Sequence, residues 1–185
     1  MNLETDFFAR ASESARAAHI SKDLNAHEIA APTNLAPGAI AFMGDVTGGV
    51  GNFDRGTGRL VLLDNPEEPA GWGGRSRAIL FAQAPLETDI GDEMLVVDVA
   101  WAWLLESLTA HGAGFDHTSG TVTKVVSTGF GEMATQGRGS QLEIRASWSP
   151  TDDNFQAHVE AWAEFVCTLA GFPPLPDGVV PLTSR

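Results

Sequence analysis

Apolar residues recur at helical spacing in three stretches and fall into strand-like patterns in five, and the order of these stretches sets the expected fold. From Leu3 to about His19, Leu3, Phe7, Ala11 and Ala18 share one narrow face while Glu4, Arg10, Glu13 and Arg16 are left for solvent, which predicts a helix. The next segment has no sustained period, and Pro32 and Pro37 each disfavour helix in the residue before them, so it reads as a linker. Ala39 to Val46 predicts a strand with Ile40, Phe42 and Val46 on one face. Arg59 to Leu63 predicts a second, with Val61 and Leu63 opposite Leu60 and Leu62. The glycine-rich TGGVGNFDRGTG between them reads as a long, mobile hairpin connection, because glycine reaches positive φ at little steric cost. Arg75 to Ala84 makes a third strand, with Ile79 and Phe81 opposite Ala78 and Leu80. Three strands in a row joined by turns predict an antiparallel meander.

The longest strongly apolar segment follows, Asp92 to Gly112, and it predicts the central crossover helix. Asp92 is the expected N-cap, Glu93 suits the positive end of the helix dipole, and Gly112 is placed to end the helix in a left-handed cap. At about 100° per residue, Met94, Val97, Trp101, Leu104, Leu105 and Leu108 form one stripe that should cover the sheet, while Val96, Val99 and Trp103 gather on the other side. That second group is buried either by the domain's own elements or by another chain. Burying Trp103 alone is worth on the order of 2 kcal/mol.

Thr121 to Thr128, TVTKVVST, is the clearest strand by propensity, being rich in β-branched residues. In Gln141 to Trp148, Leu142, Ile144, Ala146 and Trp148 alternate with Glu143, Arg145 and Ser147, giving one core face and one wet face. Asn154 to Ala170 holds helical spacing through Phe155, Val159, Trp162, Val166 and Leu169, and Gly171 stops it. The expected order is α-β-β-β-α-β-β-α, an α+β fold with helices packed on one antiparallel sheet. Residues 1–185 read as one domain, with 1–20 as its N-terminal helix and 171–185 as a proline-rich strap carrying Phe172, Leu175 and Val179.

Composition narrows the function. At 185 residues and 43% hydrophobic content the chain can bury a substantial core. Twenty-four acidic residues against 11 basic ones give a net charge of −13, which disfavours nucleic acid as a direct partner. No run of apolar residues is long enough to span a membrane and the start lacks a signal-peptide pattern, so a cytoplasmic location is expected. The one cysteine, Cys167, can form no intramolecular disulfide and reads as a buried thiol.

Candidate chemistry is sparse. Gly49 and Gly51 are followed by Asp54 where a dinucleotide fingerprint needs glycine, and no helix begins there. His111, Asp116 and His117 in HGAGFDH could bring three ligand atoms to a metal, although a helix cap and turn residues explain them too. Glu87, Asp89, Asp92 and Glu93 form an acidic patch without an EF-hand loop. His158 reads as a hydrogen-bonded residue at the boundary of its helix's stripe. Ser127 and Ser147 sit on strands rather than on a nucleophile elbow. Arg75 and Arg77 could read a carboxylate, or protect an edge strand. No cofactor and no catalysis are expected.

The segments HGAGFDHTSGTVTKVVSTGFG, LEIRASWSP and HVEAWAEFVCTLAGFPPLPDGVV resemble DUF3000, a family of uncharacterised actinobacterial proteins, over roughly residues 101–181, with a looser fit in the first ninety. The resemblance implies no activity, cofactor or catalytic residue. The element order and acidity are also similar to the type III secretion chaperone-like fold, whose members dimerise and bind segments of other proteins. On that likeness the chain is expected to be a non-catalytic protein-binding or chaperone-like module, with Val96, Val99 and Trp103 as interface, a homodimer as one partner, and the sheet or first helix as the surface for another protein. The alternative is a small-molecule or metal-dependent enzyme using His111, Asp116 and His117.

Overall fold

The computed structural model describes residues 3–47, 55–86 and 95–172. The chain runs α1 (Leu3–Arg16), β1 (Leu24–Ile29), β2 (Gly38–Val46), β3 (Thr57–Asp64), β4 (Ser76–Leu86), α2 (Val96–Ala110), β5 (Phe115–Thr128), a 3-10 helix (Gly131–Gln136), β6 (Arg138–Pro150) and α3 (Phe155–Leu169). Six strands form one antiparallel sheet in the order β1-β2-β3-β4-β6-β5. The α+β class and the expected succession of helices and strands hold, with one strand added where a linker was expected. That strand, β1, pairs along β2 from Leu24 opposite Val46 to Ile29 opposite Ala41. Its Glu28 is held by Arg16 of α1 at 2.8 and 2.9 Å. The expected Asp92 cap, Met94, the acidic patch of Glu87, Asp89, Asp92 and Glu93, and the strap residues Leu175 and Val179 lie outside the described residues.

Register fixes two distinct faces. Ile40 lies opposite Leu62, Leu62 opposite Ala78 and Ala78 opposite Trp148, and all four are buried beneath the helices. Leu60, Leu80, Leu142 and Ile144 join them in the main core with side chains from all three helices. Alternate residues of the same strands point the other way. There, Ala41, Val61 and Leu63 form a small second cluster capped by Ile29, Ala31, Ala36 and Trp72. Leu60 to Leu63 is thus buried on both sides, as its unbroken apolar sequence requires.

The central helix is α3, not α2. It contacts both other helices and strands β1 to β4, and its buried residues include Phe155, Ala157, Ala161, Trp162, Ala163, Phe165 and Val166, which lie around most of its circumference. Its charged residues are Glu160 and Glu164, both partly covered. Asn154 caps its start, accepting from the Ala157 N–H. The helix comes close to the sheet because Gly58 lies beneath it: a Cβ there would overlap the Val166 side chain and stand 2.9 Å from Trp162 Nε1.

Helix α2 flanks α3 and covers the β5 side of the sheet. Its buried line is Val96, Ala100, Leu104, Ser107 and Leu108, which cuts between the two stripes expected from sequence. Gly112 at φ 67° and Gly171 at φ 84° end α2 and α3 alike. In each, the next N–H reaches five residues back, Ala113 to Leu108 and Phe172 to Cys167, closing a Schellman cap.

Candidate functional site

Three helices cover one face of the sheet, and short loops cover only the Ala41–Val61–Leu63 corner of the other. What stays open is the part of the helix-free face built from β3, β4, β6 and β5. One lateral row of paired positions crosses it: Met43, Arg59, Phe81, Arg145 and Thr121, on β2, β3, β4, β6 and β5 in turn. The next row toward the capped corner runs Val61, Ile79, Ser147 and Ser119. A hollow of about 520 Å³ lies over Ile79, Phe81, Ser119, Thr121, Arg145 and Ser147. A second, of about 390 Å³, adjoins it along the strands at Met43, Asp45, Thr57, Gln83, Pro85 and Gln141.

The chemistry of this face is apolar in the middle and charged around it, where Arg59, Arg77 and Arg145 share the outward ladder positions with Asp45, Asp116 and Glu143. Ile79 is 37% exposed at the centre of a strand, where a core-forming side chain would ordinarily be covered. Phe81 beside it is half-buried, with the Arg145 guanidinium 5.5 Å from its ring centroid. Arg145 also donates from Nε to Glu143 at 2.8 Å. Arg59 and Arg145 are exposed.

Arg77 is built in more firmly. Its Nη1 donates to the His117 carbonyl at 3.1 Å and to Ser149 Oγ at 3.0 Å. Its Nη2 donates to Ser147 Oγ at 2.6 Å and Ser119 Oγ at 3.4 Å. Every one of these acceptors is neutral. Burial lowers the Arg77 pKa from its ordinary value, and no neighbouring carboxylate opposes that shift. Ser119 and Ser147 lie 3.1 Å apart, while Ser149 donates to the Trp72 carbonyl. The β4 strand is interior to the sheet, so edge protection is not the role of Arg77. Its neighbour Arg75 is used elsewhere, in a two-point contact with Asp64 at 2.7 and 2.8 Å, with its guanidinium 3.9 Å from the Phe7 ring centroid.

The residues singled out in sequence fall elsewhere. Val96 is a core residue, so it offers no surface to a partner. Trp103 packs against the main core and is half-buried, and Val99 alone of the three is exposed, at 39%. The metal candidates are not brought together. His111 sits at the α2 cap, with Nδ1 3.0 Å from the Ser107 carbonyl and Nε2 3.4 Å from Glu164 on α3. Asp116 borders a cavity of about 320 Å³ with Phe7, Arg75 and Asp152. His117, at φ 51° in the bulge that interrupts β5, lies against Gly73. Among the described residues no group of three or more His, Cys, Asp or Glu side chains could hold a metal ion.

Two further reactive groups are buried. Cys167 is inside α3's packing, and burial pushes its thiol up to about 11, removing it as a nucleophile near neutral pH. His158 is a core residue rather than a boundary one, inaccessible to solvent and held neutral by burial, with its pKa lowered to about 4. Its Nδ1 accepts from Trp148.

The chain belongs to the DUF3000 family, described as proteins of unknown function, which it matches over residues 4–180. The match therefore includes the N-terminal ninety residues as well as the segment that carries the resemblance in sequence. No curated protein and no solved structure matches. Among the described residues, no helix is long and apolar enough to cross a membrane.

Proposed function

We propose that this chain is a non-catalytic protein-binding module, cytoplasmic and actinobacterial, that docks its partner on the helix-free face of the sheet. The observation that carries the reading is the exposure of Ile79, beside half-buried Phe81, in the middle of a six-stranded sheet whose opposite face packs against three helices. Protein-binding surfaces combine an apolar centre with a polar rim and enrichment in Arg and aromatic side chains, and this face has that make-up. The expected likeness to chaperone-like folds, with the sheet or the first helix as the surface for another protein, is compatible with this reading.

A catalytic reading has less behind it. Ser119 and Ser147 touch each other and Arg77 rather than a base, and His111 and His117 are committed to different neighbours. A second copy of the chain is the other protein that could occupy the face.

Affinity capture from extracts of the native host tests the proposal. The wild type and Glu106→Lys, a change on the exposed side of α2, are expected to retain the same partner, and Phe81→Glu to lose it. A partner retained equally by Phe81→Glu, or lost only with Glu106→Lys, would place docking elsewhere.

A further inference from the structure

The two edges of the sheet are finished differently. Strand β1 is six residues long and is tied to α1 where Arg16 holds Glu28. Strand β5, at the opposite edge, is 14 residues long and pairs only with β6. After the bulge between Asp116 and Ser119, its ladder runs unbroken to Thr128. Edge strands are ordinarily blunted by shortness, proline, charge, a bulge or a covering element. The ten residues Ser119–Thr128 contain no proline, a single charge at Lys124, and a majority of Val and Thr. Helix α2 lies over the face of the strand, where Trp101 meets Gly120, and the edge stays open. Thr121, Thr123 and Ser127 are exposed, and Val126 is 49% exposed. An edge strand turns alternate N–H and C=O groups away from its one neighbour. Among the described residues, no backbone group of Gly120–Thr128 bonds outside the ladder with β6.

We propose that β5 pairs antiparallel with β5 of a second copy of the chain across a two-fold axis, joining the two six-stranded sheets edge to edge. An axis through the middle of the strand makes the edge that needs covering also the edge that covers, so both copies are satisfied at once and nothing is left to propagate. Pairing over ten residues makes about ten backbone hydrogen bonds, the number that a typical specific interface carries. Val and Thr then meet β-branched side chains across the axis, which are favourable cross-strand pairs. Charge permits the approach here. The chain has a net charge of −13, so two copies repel over most of their surface, but Ser119–Thr128 holds no carboxylate. Lys124 opposes its own counterpart only if the axis passes through it. A strand of another protein could use the same edge, but every folded copy exposes it, and the chain itself is the strand always present in matching amount. The pairing stands apart from docking on the helix-free face: it uses groups in the plane of the sheet and leaves Ile79 and Phe81, two strands in from the edge, uncovered.

Sedimentation equilibrium and interchain spin-label distances test the pairing. The wild type is expected to be a dimer at about 10 µM, and Thr123→Lys/Val126→Lys, which sets like charges against each other across the axis, to weaken self-association at least about tenfold. Nitroxide labels on single cysteines replacing Thr121, Thr123 or Ser127, with native Cys167 buried, should give interchain distances that grow by about 7 Å for each residue away from the axis. A wild type that stays monomeric up to about 200 µM would overturn the proposal and leave the edge to another protein's strand. Association that grows without limit would overturn the two-fold, and a dimer whose label distances ignore position along β5 would place the interface elsewhere. Loss of Phe81-dependent capture with the dimer intact would remove the docking face alone.

Discussion

The indole Nε1 of Trp148, on β6, donates to Nδ1 of His158, on α3, at 3.0 Å, with both rings enclosed in the core and stacked 6.2 Å apart. The bond fixes the tautomer. Nδ1 must be bare to accept, so the proton sits on Nε2, which is buried without a hydrogen-bond partner. A second proton would have to displace the Trp148 contact and place a charge in an apolar interior. One side chain thus joins the end of β6 to α3 and leaves that joint sensitive to acid.

Stability should therefore fall with pH in a defined window. Burial holds the folded-state pKa of His158 near 4, below its ordinary 6.5, so the unfolded chain takes up the proton first as pH falls. The contribution is complete above about pH 6.5 and is lost on descent to about pH 4, a change on the order of 3 kcal/mol by the usual conversion of pKa shift to free energy. Urea unfolding of the wild type and His158→Gln at pH 7.5 and 4.5 measures it, and the wild type should lose more stability than the variant. An NMR titration midpoint for His158 near 6.5 would contradict the mechanism.

The seat of α3 on the sheet gives a second expectation. Gly58→Ala puts a methyl group against Val166 and Trp162, and overpacking of this kind costs about 1–3 kcal/mol. Val166→Ala made in the Gly58→Ala background opens the same space, so the double variant should be more stable than the sum of the two single losses implies. Strict additivity in urea midpoints would show that the two residues do not share that contact.

How much of this was readable beforehand depends on what each residue's signal was. The strand at Arg59–Leu63 was legible, with Val61 and Leu63 set opposite Leu60 and Leu62, and the structure adds that both faces are buried. The caps at Gly112 and Gly171 were equally plain. Strand β1 was not, since LNAHEI lacks β-branched residues until its last position and becomes a strand by pairing with β2. The first turns of β5, DHTSG, are turn-formers that the ladder with β6 holds extended around a bulge. The ranking of helices also misled. Helix α2 has the longer apolar segment, but α3 has small residues, Ala157, Ala161, Ala163 and Cys167, where neighbours must approach, and that was the available sign of a helix surrounded on several sides. The candidate face had no local signature at all. Arg59, Arg77 and Arg145 are far apart in sequence, and only the strand register makes them neighbours.

The α2 residues first considered for an interface should separate by burial. Trp103 packs on the core, so Trp103→Glu is expected to cost on the order of 2 kcal/mol in urea unfolding. Val99 is 39% exposed, and Val99→Glu should stay within about 0.5 kcal/mol of the wild type. Light scattering on both should return the wild-type mass. A lower mass for Val99→Glu at unchanged stability would restore the helix side as a contact between copies.

The most direct test of the docking face places a photoreactive amino acid at position 81 in the native host, with position 106 on α2 as control. Irradiation is expected to join position 81 to another protein and to leave position 106 largely free of adducts. An adduct of twice the chain's own mass would name a second copy as the occupant. Adducts from position 106 with none from position 81 would contradict docking on the helix-free face.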